Sequence, residues 1–334
     1  MHNNLFIITF FVVLNFFILF FFEKIDFFHR NIDTPDSKRK LHKKPVALAG
    51  GSILFLNLLF YFFLTLTNII MIDKEIIFLN HTDLILFFIT CLSIFTLGFI
   101  DDGLNLSASI KFIIITILIF LILYLDSELN INSIKFSFLE TSLSLDGFSM
   151  LFTCFCFLVF LNAFNMFDGI NLQSCSYSII MLLSILFFYI DTLLIKILIL
   201  GLASYGYLNF KNKTFLGDSG SLLISFIIGY IFIKIYNFEI INFSDEIVIF
   251  MLIPGLDLIR LFFKRIVLKR NPLSPDRFHL HHLLLLKFSY YKTLTIITSL
   301  ILFPIFLNFL DFDKKYIILL TILVYSLLIK KIHK

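Results

Sequence analysis

Long runs of hydrophobic residues alternate with short polar connections along almost the whole chain. Eleven runs are long enough to predict helices, and they lie near residues 5–22, 46–72, 84–100, 110–125, 148–164, 175–190, 193–210, 219–237, 246–263, 291–310 and 316–330. Crossing a hydrocarbon core of ~30 Å takes roughly 20 apolar residues in a helix. Because backbone polar groups must pair internally in lipid, the pattern predicts an all-α polytopic membrane protein with about 11 transmembrane helices.

Composition agrees with this fold class. The 334 residues are 59% hydrophobic and only 15% charged, which is too little charge to cover a soluble protein of this length. No linker or internal repeat is visible, so the sequence predicts a single integral membrane domain over residues 1–334. One connection differs from the rest: residues 126–147 alternate apolar and polar positions around Glu140-Thr141-Ser142. This alternation predicts a small β-hairpin at residues 131–145.

The basic residues predict the orientation in the membrane. Of the 27 Lys and Arg residues, 21 lie in or beside one alternate set of connections and the C-terminal tail, and six lie on the other side. Lys and Arg are enriched in cytoplasmic connections. The sequence therefore predicts an N-terminus outside, a cytoplasmic C-terminus and an external hairpin. Charge concentrated on one face suits anionic lipid headgroups and anionic substrates, and no nucleic-acid partner is expected.

Polar clusters occupy the same alternate connections. These clusters are Asp101-Asp102, Asn165 to Asp168, Gly217 to Gly220, and His279 to His282. Since all of them fall on the predicted cytoplasmic side, the sequence predicts one polar, metal-capable site at that membrane face.

Two of the clusters are acidic. Asp101 and Asp102 end a predicted helix, where the macrodipole disfavours negative charge unless a cation compensates it, and Lys111 follows ten residues later. Asp218 opens a predicted helix whose N–H groups favour phosphate, with Ser219 as a candidate cap. An Mg²⁺ held by one carboxylate would keep waters and bind substrate phosphates. The alternative interpretations are a solvated helix end for the first pair and simple helix capping for Asp218.

The other two clusters combine amides and histidines. Asn162, Asn165 and Asp168 recur at every third position, and such residues in a membrane helix usually face the bundle interior or a cavity. Hydrogen bonding between helices is the alternative. Further along, Arg277 precedes His279, His281 and His282, a set that can donate to several phosphate oxygens. A zinc site is the competing interpretation of the histidines.

Together these strings resemble the polyprenyl-phosphate N-acetylhexosamine-1-phosphate transferases, over roughly residues 33–290. The resemblance rests on five motifs in family order: Asp33-Thr34-Pro35 through Gly50-Gly51, Gly98 through Lys111, Asn162 through Gly169, Phe215 through Ser221, and Pro275 through His282. The histidine motif is similar to that of the N-acetylglucosamine-1-phosphate branch, and less so to that of the related MraY translocase. One position departs from the family, which usually has Asp-Gly-x-Asp-Gly where this chain has Asn171.

The resemblance implies a Mg²⁺-dependent phosphotransferase, with Mn²⁺ as an alternative ion. It would move an N-acetylhexosamine-1-phosphate, GlcNAc first among the candidates, from a UDP-sugar to undecaprenyl phosphate and release UMP. Such an enzyme would serve cell-envelope polysaccharide synthesis from the bacterial inner membrane, as a multi-pass protein in contact with membrane lipids and with a homodimer as one expected assembly. By the same resemblance, Asp101, Asp102 and Asp168 would be catalytic, and Asp218 and Asp102 would bind the metal. Substrate-binding residues would be Lys44, Lys111, Asn165, Arg277, His279, His281 and His282.

Two other functions remain open from the residues. An ion-coupled transporter would place its ionisable groups near the midplane of the membrane, whereas here the carboxylates cluster at predicted helix ends. A catalytically inactive membrane scaffold is the second alternative, because Asn171 replaces a family carboxylate.

Overall fold

The computed structural model describes residues 2–35, 44–71, 77–269 and 278–333. Twelve α-helices and five short strands occur in these ranges. The helices are α1 (His2–Phe21), α2 (Gly50–Leu66), α3 (His81–Leu104), α4 (Ala108–Leu125), α5 (Ser149–Phe167), α6 (Gln173–Phe188), α7 (Leu193–Phe210), α8 (Gly217–Asn237), α9 (Ser244–Val267), α10 (Leu280–Leu285), α11 (Tyr290–Phe309) and α12 (Lys314–His333). The strands are β1 (Ile32–Asp33), β2 (Val46–Leu48), β3 (Ser133–Ile134), β4 (Leu143–Ser144) and β5 (Thr214–Phe215).

Each of the eleven predicted hydrophobic runs coincides with a helix, and the short α10 adds a twelfth. Within the described ranges, seven helices are long and apolar enough to cross a membrane. Helices α2 and α6 are apolar but shorter, with 17 and 16 residues. The structure is thus that of a mostly helical, multi-pass membrane protein, while a total of 11 crossings stays a prediction.

The chain divides into two compact units that alternate along the sequence. Unit 1 contains residues 1–127 and 178–231, and unit 2 contains residues 128–177 and 232–334. The prediction of one domain over residues 1–334 is not tested by this division.

In unit 1, helix α7 packs against α1 and α2, and α3 packs against both α2 and α4. A three-stranded sheet, which the sequence did not predict, joins residues 32–33 and 46–48 to the distant residues 214–215. Strand β2 pairs antiparallel with β1 on one side. On its other side β2 pairs parallel with β5, with Ala47 opposite Thr214 and Leu48 opposite Phe215. Each strand leads directly into a helix, since α2 follows β2 and α8 follows β5. Parallel pairing therefore places the starts of α2 and α8 side by side.

In unit 2, helix α9 packs against α5, α11 and α12, and the short α10 packs against α11 and α12. The predicted hairpin is present: β3 and β4 pair antiparallel, with Ser133 opposite Ser144 and Ile134 opposite Leu143. The hairpin lies before α5, whose other end is capped by Asp168. Nineteen residues of helix at 1.5 Å each separate these ends by about 28 Å, close to one hydrocarbon thickness.

We expect residues at the start of α4 and in the hairpin to lie on opposite sides of the membrane, because the basic residues predict this orientation. Ser109 and Ser142 are both exposed, and Ser109 leaves intact the N-cap that Ser107 gives to Ile110. Ser109→Cys and Ser142→Cys should react with a membrane-impermeant thiol reagent from opposite sides. The unsubstituted chain, with Cys91, Cys154 and Cys175 buried, measures background labelling, and reaction of both variants from one side would contradict the orientation.

Candidate active site

Three helix ends meet in unit 1 and bring together a lysine and two carboxylates. Asp101 lies in the last turn of α3, Lys111 in the first turn of α4, and Asp218 in the first turn of α8. Lys111 Nζ donates to Asp101 Oδ2 at 2.7 Å and to Asp218 Oδ2 at 2.5 Å. The side chain of Asp101 is 5% exposed, whereas that of Asp218 is 30% exposed. Asp218 is thus the carboxylate of this pair that is more open to a solute.

A tight turn between α3 and α4 fixes Asp101 and Lys111. Asn105 ends α3 in the left-handed conformation, with φ of 52°, and its N–H donates to the Asp101 carbonyl oxygen. Leu106 N then donates to Asp101 Oδ1 at 2.7 Å. Ser107 caps α4 by accepting the N–H of Ile110. The short sequence Asn-Leu-Ser therefore stops one helix, holds the carboxylate and starts the next helix.

Asp102 has a different role from its neighbour in this structure. Its carboxylate accepts the N–H groups of Asp218 at 2.7 Å and Ser219 at 3.1 Å, and the Ser219 hydroxyl at 2.7 Å. The prediction that Ser219 caps α8 was wrong, since α8 begins at Gly217 and the Ser219 hydroxyl donates to Asp102. The Asp102 carboxylate accepts these N–H groups from α8. Its negative charge also interacts more favourably with the positive end of the α8 dipole than a neutral hydroxyl would.

Glycines allow these helix ends to approach so closely. A Cβ built at Gly98 would lie 2.5 Å from the Ser219 backbone, and one at Gly217, where φ is +74°, would lie 2.6 Å from Asp102 Oδ2. A Cβ at Gly51 would overlap Ser219 and Gly220. The glycines of the motifs thus permit the contact between the α3 carboxylates and the start of α8.

Lys44 lies outside the three helix ends that form this cluster. It is exposed and precedes β2 at the end opposite to α2. Because β2 and β5 run parallel, Lys44 lies at the end of the sheet away from the start of α8. Its predicted contact with substrate stays a prediction.

In unit 2 the structure brings Asp168 close to the histidine segment. Asp168 caps the C-terminal end of α5, and the Ser174 hydroxyl donates to its Oδ1. The next residue, Gly169, lies against the imidazole of His281 so closely that a Cβ there would overlap the ring. Two motifs that lie more than 100 residues apart therefore meet in this unit. Asn165 is half-buried one turn before Asp168 on α5.

The rings of the three histidines lie close together at the start of α10. The rings of His279 and His281 are parallel with centroids 5.6 Å apart, and the centroids of His281 and His282 are 4.3 Å apart. Burial, together with the neighbouring His282 and His279, lowers the pKa of His281 well below its ordinary value. At neutral pH, His281 is therefore an uncharged imidazole that offers one N–H. Over the described residues, no group of three His, Cys, Asp or Glu side chains is arranged to hold a metal ion, so the zinc interpretation gains no support.

The position that departs from the family is held through its backbone. The hydroxyl of Tyr290, the first residue of α11, donates to the Asn171 carbonyl oxygen at 2.6 Å. Asn171 itself is half-buried. The segment after Asp168 is therefore fixed independently of which side chain occupies position 171.

Sequence reasoning missed three residues that support the histidines. Asp257 and Arg260 of α9 and Tyr325 of α12 form a hydrogen-bonded group that contacts His279. The available signal was an aspartate and an arginine three positions apart in an otherwise apolar run. Charged residues at such positions are rare and are usually paired. Arg277, which was predicted to bind substrate, lies outside the described residues.

The residues of unit 1 fit a hard divalent cation such as Mg²⁺. Asp101 and Asp218 bring two carboxylates to one lysine, Asp102 accepts the N–H of Asp218, and carboxylate oxygens are the ligands that Mg²⁺ prefers. The arrangement is not an all-protein cage. Mg²⁺ sites on phosphate substrates commonly use one or two carboxylates and complete their shell with phosphate oxygens and water. Asp218, the more exposed carboxylate, suits this incomplete shell.

Comparison with known proteins agrees with this geometry. The family model described as glycosyl transferase family 4 matches residues 84–236, which include Asp101, Lys111, Asp168 and Asp218. The histidines lie outside that match.

Curated relatives carry one common name, undecaprenyl-phosphate alpha-N-acetylglucosaminyl 1-phosphate transferase. The protein from Thermotoga maritima is 27% identical over 310 residues, which cover 88% of both chains. Those from Salmonella typhi and Escherichia coli K12 are each 28% identical over 167 residues, so the match spans about half of either protein, 46% of this chain and 46% of the relative. The resemblance seen in the motifs is thereby confirmed: residues 84–236 are similar to glycosyl transferase family 4, and the chain is similar over most of its length to one curated transferase of this name.

Proposed function

We propose that this protein transfers an N-acetylhexosamine-1-phosphate, with GlcNAc as the expected sugar, from a UDP-sugar to undecaprenyl phosphate. An oxygen of the lipid phosphate attacks the β-phosphorus of the donor. The bond from that phosphorus to the oxygen bridging to the α-phosphate breaks, and UMP leaves with the bond's electron pair. The product is a lipid diphosphate sugar. The names of the relatives support the lipid acceptor and the GlcNAc group, and the motif resemblance supports the UDP donor.

The observation that carries the proposal is the ammonium group of Lys111 held between Asp101 and Asp218. Transfer of a phosphoryl group between two polyanions needs positioning and charge neutralisation more than covalent help from the protein. A lysine placed by two carboxylates supplies a fixed positive charge, and the exposed carboxylate beside it can hold a cation. This combination suits a reaction in which two phosphates must approach each other.

Asp218, Lys111 and Asp102 then have separate tasks. Asp218 would hold Mg²⁺, with Mn²⁺ as the alternative, and Asp101 is the neighbouring carboxylate on the same lysine. The bound ion would neutralise the diphosphate of the donor. Lys111 neutralises the attacking lipid phosphate. Asp102 was predicted to bind the metal or act in catalysis, and its three hydrogen bonds favour holding the start of α8, and with it Asp218, in place.

In unit 2, Asp168 and Asn165 would orient the nucleotide or the sugar, and the histidines would bind the diphosphate. Arg277 is expected to act with them. That both groups of residues serve one reaction stays part of the proposal, as do the cytoplasmic face of the bacterial inner membrane and the homodimer.

A transporter is less consistent with these positions. Asp101, Lys111 and Asp218 all lie in terminal turns of their helices. Carriers place coupling carboxylates near the bilayer midplane on interrupted helices.

The proposal is tested by UMP release from a panel of UDP-hexosamines by the purified full chain with undecaprenyl phosphate. We expect release with UDP-GlcNAc that requires both the lipid and Mg²⁺. Matched reactions without lipid, and with a chelator, are the controls. The absence of UMP with every donor tested, from monodisperse protein, would overturn the proposal and favour a non-catalytic scaffold.

Position 171 gives a further test of the inactive alternative. We expect Asn171→Asp to leave transfer within about tenfold of the unsubstituted protein, because charge separations near 4 Å change energies by ~1 kcal/mol when well solvated. Asp168→Asn should instead disable transfer, since it removes the negative charge of a carboxylate that accepts the Ser174 hydroxyl and lies next to Gly169, the residue against the His281 ring. Initial rates of UMP release compare the two variants. Activity that appears only in Asn171→Asp would identify the native chain as a degenerate family member.

A further inference from the structure

Asp257 lies at the centre of a buried hydrogen-bond network in unit 2. It is 4% exposed, and its two oxygens accept from four donors. Asp257 Oδ2 accepts from His279 Nδ1 at 2.9 Å. Asp257 Oδ1 accepts from Arg260 Nη2 at 2.7 Å, from the Tyr325 hydroxyl at 2.8 Å and from Leu280 N at 3.1 Å.

The same network holds the chain on either side of His279. Arg260 Nη2 also donates to the carbonyl oxygen of Phe278 at 2.6 Å, and Arg260 Nε donates to the Tyr325 hydroxyl at 2.9 Å. The residue before His279 and the residue after it are therefore both bonded to side chains of α9. Helix α12 contacts both of those side chains through the Tyr325 hydroxyl, which accepts from Arg260 and donates to Asp257.

The cost of this arrangement indicates a purpose beyond packing. Burying an ion pair is expensive, and apolar residues of similar volume are often neutral or more favourable at such sites. The network is also specific in its geometry, because a carboxylate on one imidazole nitrogen sets which nitrogen carries the proton and how the ring is turned. With Nδ1 donating to Asp257, Nε2 is the nitrogen of His279 that remains for a ligand.

We propose that Asp257, supported by Arg260 and Tyr325, is a positioning residue that fixes the tautomer and orientation of His279, so that Nε2 meets the diphosphate of the nucleotide sugar. This inference rests on the proposed function for its substrate. The positioning itself is a property of the chain. Through Tyr325, helix α12 then also takes part in positioning His279, although α12 lies outside the region that the family model matches.

A double-mutant cycle tests whether Asp257 acts through His279. We expect Asp257→Asn to lower kcat/KM by about 10- to 100-fold, the usual effect of losing the partner that orients a functional histidine. In a His279→Ala background the same change should cost less than about threefold, because coupled residues are not additive. Equal losses in both backgrounds would overturn the proposal and leave Asp257 a purely structural residue.

Tyr325 offers a variant with a matched control on the same helix. Tyr325→Phe removes only the hydroxyl that bonds to Asp257 and Arg260. We expect it to lower kcat by about tenfold, the effect of losing a hydrogen bond to a charged group. Tyr316→Phe, at a 65% exposed position of α12, should change nothing. Equal activity in the two variants would contradict the role given to α12.

A spectroscopic readout separates this inference from the proposed function. In ¹⁵N-histidine-labelled protein, the His279 signal, assigned by its loss in His279→Ala, should show a proton on Nδ1. Asp257→Asn should reduce that population, whether or not the protein transfers any sugar. Among the described residues, the charged or titratable groups that face His279 are Asp257 and Arg260 of α9 and the neighbouring His281 and His282. An unprotonated Nδ1 in the native chain would overturn the inference while leaving the proposed function intact.

Discussion

Asp218→Asn is expected to reduce transfer by about 10³-fold or more while the protein stays folded. The amide keeps the shape of the side chain but removes the charge that a cation needs, and stabilisation by a bound metal is worth several kcal/mol, or about tenfold in rate per 1.4 kcal/mol. The side chain is partly exposed, so its loss leaves no fully buried cavity. Initial rates of UMP release across a magnesium titration measure the effect.

Two controls accompany this variant. Size-exclusion chromatography in detergent should show the same monodisperse peak as the unsubstituted protein. Ser221→Ala, which removes a weak hydrogen bond in the same helical turn, should leave the magnesium requirement unchanged. Near-normal transfer by Asp218→Asn at ordinary magnesium would place the ion elsewhere, with Asp101 or Asp102 as the next carboxylate to replace.

Lys111→Gln is expected to reduce the rate of transfer by a similar factor, because it removes a positive charge where Asp218→Asn removes a negative one. It removes the positive charge between Asp101 and Asp218, so we expect transfer to fall by about 10²- to 10³-fold, as for the loss of one charge-stabilising donor. Metal binding should become tighter by about tenfold, because removing a neighbouring cation near 4 Å favours a second cation by ~1 kcal/mol or more. Titration with Mn²⁺, followed by its electron paramagnetic resonance signal, measures binding independently of activity.

Lys111→Arg is the matched control, because it retains the charge. It should recover part of the transfer activity and bind Mn²⁺ like the unsubstituted protein. Weaker metal binding in Lys111→Gln would contradict the assignment of the cation to the carboxylates on this lysine.

The helical framework was predictable because each hydrophobic run is long and uninterrupted. The acidic cluster was also predictable in outline, since Asp101, Lys111 and Asp218 fall at the ends of such runs. The different contacts of Asp101 and Asp102 could not be predicted from the sequence. Both are consecutive carboxylates at a helix end, and only the approach of α8, which Gly98 and Gly217 permit, decides which one caps the helix and which one contacts Lys111.

Two other features depended on contacts that sequence does not specify. The sheet of β1, β2 and β5 has strands of two or three residues, too short to show a period-two pattern. The partners of His279 come from two helices, and Tyr325 lies 46 residues beyond the histidine in an apolar run where a tyrosine attracts no notice. Asp257 and Arg260 could have been found, because a charged pair inside a hydrophobic run calls for a partner.

We expect the phosphorus bound to the sugar to move to the lipid together with the sugar. The most direct measurement uses two preparations of UDP-GlcNAc, one labelled with ³²P at the β-phosphate and one at the α-phosphate, with the purified full chain and undecaprenyl phosphate. We predict that the β-label enters the lipid fraction and that the α-label appears only in UMP. Both labels leaving together as UDP, with the sugar alone on the lipid, would contradict phosphoryl transfer.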